Sequence, residues 1–404
     1  MTNKLYKLMN WPLIEEIIYS ESDRPKDILG PHQAGTLTLV QAFFPEAKRV
    51  TLCVPKLDYE VNMDVADEDG FFTALVPTYG KFDYYYMVKE KDGETRKVLD
   101  AYIYDSLFND GDLERFAKGI HYSVYRLLGA HVYEIDGILG THFAVWAPNA
   151  MRVSVVGDFN GWDGRVHQMQ RVKKSGIFEI FIPGVDEGAK YKFEIKLKNC
   201  LTYLKKDPYC FKCEDEVDGA SIVAHTEFKW DDNAYILNRA KRDSSNKTIS
   251  VMRIELKKEL GFKEVMDTLP EKAKELGYTH VLLSTPFKVS KEGRISDFYC
   301  FDNKLGENRD FVKMVDAFHK NKIGVLIDFA PDSFTCGNSG LTDFDGTKLY
   351  ENPDDKKRYH GELGTLRFNF ARYEVSNFII ANALYMIEKF HVDGLNFVDT
   401  GSML

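Results

Sequence analysis

The stretch HVDGLNFVDT, residues 391–400, holds Asp393 and Asp399 on either side of an apolar run. Asp393, Gly394, Leu395, Asn396, Phe397 and Val398 read as a buried strand that delivers its end to a site. Side chains alternate along a strand, so Asp399 is expected to face away from Val398. Of six cysteines, at 53, 200, 210, 213, 300 and 336, only Cys210 and Cys213 have metal-like spacing. A C-x-x-C with no second pair and no nearby His reads as reduced thiols, so neither metal nor cofactor is expected. Aromatic residues make up 13% of the chain, which fits ring stacking on sugars as well as ordinary β-domain cores. A formal charge of −9 disfavours nucleic acid and anionic membranes, both of which select clustered Lys and Arg. A neutral substrate fits better. There is no run of eighteen apolar residues and no signal-like start, so the chain reads as soluble and cytoplasmic.

The elements that must carry these residues fall into two halves. One pattern occurs twice in the first half. AFFPEAKRVTLC (42–53) resembles VWAPNAMRVSVV (145–156), GFFTALVP (70–77) resembles GIFEIFIP (176–183), and YYYMVK (84–89) resembles YKFEIK (191–196). Short alternating segments between Gly, Pro and Asp turns predict two related β-sandwiches, with residues 105–139 as a connection. Residues 10–20 predict a short amphipathic helix. From about residue 248 the rhythm changes. ISVMRIELK, THVLLSTPF, IGVLIDFAP and VDGLNFV alternate with helical segments, which predicts parallel strands with right-handed crossovers and about half of an eight-fold barrel.

GTHFAVWAPNAMRVSVVGDFNGWDGRVHQM resembles the glycogen-binding module, carbohydrate-binding module family 48, of 1,4-α-glucan branching enzymes. FDGTKLYE (344–351) and YHGELGTLRFNFARYEVSNFIIANALYMIEKFHVDGL (from 359) are similar to the stretch before the fourth barrel strand of the same enzymes in the α-amylase superfamily. The resemblance implies an N-terminal helix at 1–20 and immunoglobulin-like β-sandwiches at 21–118 and 119–228, the second of the glycogen-binding type. It implies a partial α-amylase-type (β/α) barrel of about four units at 229–404.

Enzymes of this family cut an α-1,4 glucan and rejoin it through an α-1,6 bond with retention. That chemistry takes two carboxyl groups about 5–5.5 Å apart, one attacking the anomeric carbon and one protonating the leaving oxygen. At the fourth strand the resemblance places the attacking carboxylate at Val398 and its arginine partner at Asn396. After the third strand Asp328 is retained, but Ser333 stands where a histidine is expected. The tyrosine platform aligns with Gly293, between Glu292 and Arg294. The acid/base glutamate and third acidic residue belong to strands five and seven, beyond the four units present here. The expectation is therefore no catalytic residues and a glucan-binding pseudoenzyme, acting on glycogen or a starch-like polymer as anchor or regulator. Alternatives are a branching enzyme completed by a partner chain, and an interaction scaffold without sugar affinity.

Binding uses other residues. In GDFNGWDG, Trp162 sits in a turn where its indole could stack on a glucose ring, or could instead cap the sandwich core. Lys192 could donate to sugar hydroxyls, and Tyr203 could form a second aromatic wall. The corresponding positions of the first copy hold VPKLDYE and Tyr85 and lack these groups. The open edges of a half-barrel predict a homodimer or a partner that covers them.

Overall fold

Segments that alternate apolar and polar residues in the first half pair into antiparallel sheets, and the later strands pair in parallel. The computed structural model describes residues 3–216, 218–241, 248–290, 294–338, 340–360, 364–398 and 400–403. The chain divides into two units, Met1–Asn109 with Ala130–Lys205, and Asp110–Gly129 with Lys206–Leu404. Helix Asp110–Ala117 belongs with the C-terminal unit, where the Asn377 amide donates to the His121 carbonyl across 3.1 Å.

In the first unit, Gly30–Ala34, Leu37–Phe43, Phe71–Val76 and Asp64–Asp67 lie side by side in that order. Tyr59–Asn62, Ala47–Val54, Tyr85–Glu90 and Thr95–Val98 form a second sheet. Val40, Val50, Leu52, Phe72, Tyr86 and Val88 fill the core of these strands. The pairing then repeats. Ile138–Trp146 pairs with Ile177–Pro183 as Leu37–Phe43 pairs with Phe71–Val76. Arg152–Gly157 pairs with Lys190–Lys196 as Ala47–Val54 pairs with Tyr85–Glu90. Cys53 faces Tyr85 and Val156 faces Lys192, so the repeat read from sequence holds residue by residue at this point.

A shared glycine explains part of that repetition. Gly70 has φ +104°, and a Cβ there would stand 2.4 Å from the Phe44 carbonyl oxygen; Gly176 has φ +76°, and its Cβ would meet Pro148 at 2.6 Å. In each copy the glycine carbonyl accepts from the chain opposite, Phe44 N in one and Ala147 N in the other, both at 2.9 Å. Only a residue without a side chain tolerates both the positive φ and the close approach. Helix Trp11–Ile18, with Pro12 in its first turn, buries Ile14 and Ile17 beside Ile28, Phe43 and Phe71.

In the second unit Val251–Ile254, His280–Leu283, Gly324–Phe329 and Gly394–Phe397 form one parallel sheet in chain order. The connection after the first strand reads as one helix in sequence but forms two, Phe262–Thr268 and Pro270–Glu275. Pro270 has no N–H to give a continuing helix and starts a new one instead. Helices Asn308–Lys320 and Tyr373–Lys389 follow the second and third strands. Ile254, Val281, Leu283, Val325, Ile327 and Phe329 bury one face of the sheet. The other face carries Arg253, Leu282, Leu326, Asp328 and Asn396 and is open in part. An antiparallel hairpin, Phe287–Val289 with Ile295–Phe301, and a small sheet of Ser333–Thr335, Thr365–Arg367 and Tyr359–His360 are not legible from periodicity.

Candidate functional site

Parallel register sets the geometry at the strand ends. Asp328 lies opposite Asn396, and the Asn396 amide donates to Asp328 Oδ1 across 2.7 Å. Arg253 Nη2 donates to Asp328 Oδ2 across 2.8 Å, while its Nε donates to Glu255 across 2.9 Å. Both oxygens of Asp328 are therefore engaged, in a buried carboxylate under an exposed guanidinium. The Val398 N–H donates to the Phe329 carbonyl at 3.0 Å, which carries the pairing past Phe397. Two residues beyond Asn396, the half-buried Val398 belongs to the same face. Ser333 is fully buried at the start of its short strand, opposite Arg367, and its hydroxyl has no hydrogen-bond partner among the described residues. Arg294 stands 3.5 Å from Asp332, both nearly buried. Gly293, Glu292 and Asp399 lie outside the described residues.

At the other end of the same strand Asp393 has a packing role. Its Oδ2 faces Val325 N at 2.7 Å and His319 Nε2 at 3.0 Å; its Oδ1 accepts from Arg239 at 2.9 Å and from the Tyr235 hydroxyl at 3.2 Å. His319 and His391 both reach Asp232 through Nδ1, each at 2.8 Å. Tyr235 stacks on His319 and Trp230 on His391, each with 3.9 Å between centroids. Burial alone would raise the Asp393 carboxyl. Its bond to His319 and that ring's charge, with Val325 N and Arg239, outweigh burial and hold it below the usual carboxylate range.

The glucan-binding candidates divide. The segment 157–163 folds into a turn in which Asn160 Nδ2 donates to Val155 O at 2.9 Å and Trp162 N to Gly157 O at 3.0 Å. Trp162 takes φ +62°, unusual for a bulky residue, and its indole N–H donates to Asp158 Oδ1 at 3.0 Å, leaving the residue 38% exposed. Lys192 pairs with Val156, one residue before Gly157, so the register brings Lys192 and Trp162 to the same end of the sheet. Tyr203 goes elsewhere. It pairs with Ile195, whose side chain is buried in the core, and Lys192 is an odd number of residues from Ile195. Tyr203 thus belongs to the opposite face from Lys192, with Lys205 Nζ 5.5 Å from its ring.

Sequence reasoning missed Arg253 and the group of Asp232, His319 and His391. Arg253 meets Asp328 only through a parallel register between strands 75 residues apart, which leaves no local pattern. Among the described residues, no group of three or more His, Cys, Asp or Glu side chains is arranged to hold a metal ion. No described helix is long and apolar enough to cross a membrane.

Residues 127–210 match the family model for carbohydrate-binding module 48 (isoamylase N-terminal domain). The stretch that holds the Trp162 turn is thus similar to a carbohydrate-binding module. Residues 10–102 match the N-terminal domain of α-1,4-glucan branching enzyme GlgB. Over nearly its whole length the chain is similar in sequence to 1,4-α-glucan branching enzymes. It is 37% identical to 1,4-alpha-glucan branching enzyme GlgB of Thermosynechococcus vestitus over 97% of its own length and 56% of that protein. It is 38% identical to the enzyme of the same name from Gloeobacter violaceus, over 97% of this chain and 55% of that one. The chain therefore spans a little over half the length of the curated relatives it matches. A solved structure of a putative alpha amylase from Salmonella typhimurium shares the fold with a TM-score of 0.53 and 20% identity, over 69% of this chain and 44% of that one.

Proposed function

We propose that this chain binds α-1,4-glucan, as glycogen or a starch-like polymer, and does not cut or rejoin it. It is then a pseudoenzyme derived from a branching enzyme, with β-sandwiches at 21–118 and 119–228 ahead of about four α-amylase-type β/α units at 229–404. The observation that carries this reading is the end of the fourth parallel strand. There an amide at Asn396 binds Asp328, and an isopropyl group at Val398 takes the next place on that face. Retaining chemistry needs a carboxylate that can strike the anomeric carbon, and loss of a central catalytic member costs on the order of 10⁶ in rate. Asp328 offers no substitute while both of its oxygens are held by neighbours.

Sugar affinity rests on the second β-module. Trp162 keeps a disfavoured backbone conformation with its indole pinned to Asp158 and partly exposed, which suits a stacking platform. Lys192 is the polar group on the same end of that sheet, and the register argues against Tyr203 joining them. Free thiols at all six cysteines fit action in the cytoplasm. A second copy of the chain, or a companion polypeptide, would cover strand Gly394–Phe397, where Phe397 is 51% exposed.

Co-sedimentation with glycogen tests the reading beside a branching assay on amylose by iodine colour. The purified chain should bind and show no colour shift. Trp162→Ala should weaken binding roughly 2- to 10-fold, the equivalent of about 0.5–1.5 kcal/mol of stacking. Unchanged binding in that variant, or branching by the chain alone, defeats the proposal.

A further inference from the structure

Cysteines far apart in the chain meet in the second unit. Cys210, Cys213 and Cys300 form one buried cluster, none more than 2% exposed. Cys213 Sγ and Cys300 Sγ stand 3.2 Å apart across 87 residues of sequence. Strand Ile295–Phe301 carries Cys300, while Cys213 is held by a bridge to Ser221 and by Asn303, whose amide donates to its carbonyl at 2.7 Å. The Cys210 thiol donates to the Lys212 carbonyl at 2.7 Å, which closes the turn between the two nearby cysteines.

Cations attend the sulfurs. Lys288 Nζ lies 3.8 Å from Cys213 Sγ, and Lys206 sits in a buried pair with Asp297 at 3.0 Å. The neighbouring Cys210 and then Cys300 sulfurs outweigh burial at Cys213, and with Lys206 and Lys288 they hold it well below the usual thiol range. Burial, followed by its neighbour Cys213, pushes Cys210 up; the bonds to Cys210 and Cys213 do the same at Cys300. Two sulfurs already 3.2 Å apart need only a small shift to reach bonding distance. A metal is the wrong occupant. Two thiolates on a tetrahedral zinc at about 2.3 Å stand about 3.8 Å apart, wider than this pair.

We propose that Cys213 and Cys300 are a redox modification site that closes to a disulfide on reaction with a hydroperoxide. Hydrogen peroxide is the oxidant small enough for buried sulfur. The Cys213 thiolate attacks one peroxide oxygen, the O–O bond breaks, and the departing hydroxide takes a proton to become water, leaving a sulfenic acid. The Cys300 sulfur then attacks the Cys213 sulfur, the S–O bond breaks, and hydroxide leaves with the Cys300 proton as a second water. Two thiols lose two electrons and the peroxide gains them. The product ties strand Ile295–Phe301 to the segment around Cys213.

Hydrogen peroxide on the 404-residue protein, followed by alkylation, digestion and non-reducing mass spectrometry, tests this without any variant. The expected product is one disulfide joining the Cys213 and Cys300 peptides, with two of the six thiols lost and recovered by dithiothreitol. Cys213→Ser and Cys300→Ser should each abolish the link, and Cys210→Ala should leave it in place. The proposal fails if all six thiols persist, or if only the exposed Cys200 and Cys336 are oxidised. It also fails if the link joins another pair, or if the purified protein carries one equivalent of zinc released by a thiol reagent.

Discussion

Asp393→Asn should destabilise the second unit by about 2–3 kcal/mol at neutral pH. The carboxylate meets four partners, Val325 N and His319 Nε2 on one oxygen and Arg239 and the Tyr235 hydroxyl on the other. Asparagine keeps one acceptor oxygen, and whichever way the amide turns its nitrogen faces one N–H it cannot serve, Val325 N or Arg239. The cheaper choice sets the amide nitrogen against Arg239 and Tyr235, because the Arg239 side chain is 33% exposed and can take up water. A charge-assisted bond contributes about 1.5–3 kcal/mol, and loss of the carboxylate charge weakens the His319 contact as well, while the Tyr235 hydroxyl can turn to accept from the amide. Urea unfolding read by tryptophan fluorescence is suitable, since Trp230 stacks on His391 and is the one tryptophan in this unit.

The pH dependence gives a second readout. Asp393 is held below its ordinary 3.8, so its contribution is full above that value and is lost as the pH falls through the lower folded value. The gap between the wild-type protein and the Asp393→Asn variant should therefore be widest near neutrality and close below about pH 3.8. A gap below about 0.5 kcal/mol at neutral pH, or one that grows on acidification, would refute the assignment of Asp393 as an anchor.

Two shorter predictions concern the sheets. Gly70→Ala forces a Cβ to within 2.4 Å of the Phe44 carbonyl oxygen at φ +104°, and should cost about 1–3 kcal/mol by thermal melting of the first unit; a neutral effect would mean the turn yields. If a second copy covers strand Gly394–Phe397, light scattering at micromolar concentration should report a dimer, and a compact monomer would count against that arrangement.

Much of the architecture is legible because it is local. Residues 42–53 and 145–156 repeat an apolar run, a proline and a second run, and both copies fold with the same strand pairings. The strand and helix rhythm after residue 248 likewise reports spacing that side-chain alternation enforces. The break at Pro270 is a single-residue signal that the helical periodicity around it masks. Features that depend on register are not legible. Whether Tyr203 shares a face with Lys192 is decided by its pairing with Ile195, and no composition signal carries that parity. The same holds for Arg253 at Asp328, set by strand order, and for Cys300 at Cys213, which meet across 87 residues of sequence. Trp162 stands out because a tryptophan among Gly, Asn and Asp is conspicuous, but its positive φ and its tether to Asp158 require coordinates.

The two ends of strand Gly394–Phe397 are governed separately. Asp393 fastens the strand to the helix that carries His319, behind the sheet, whereas Asn396 and Val398 project from its front. Substitutions at the front can therefore accumulate without unseating the strand, and a scan that scores the leading aspartate as a mark of activity would be reading a bolt as a blade.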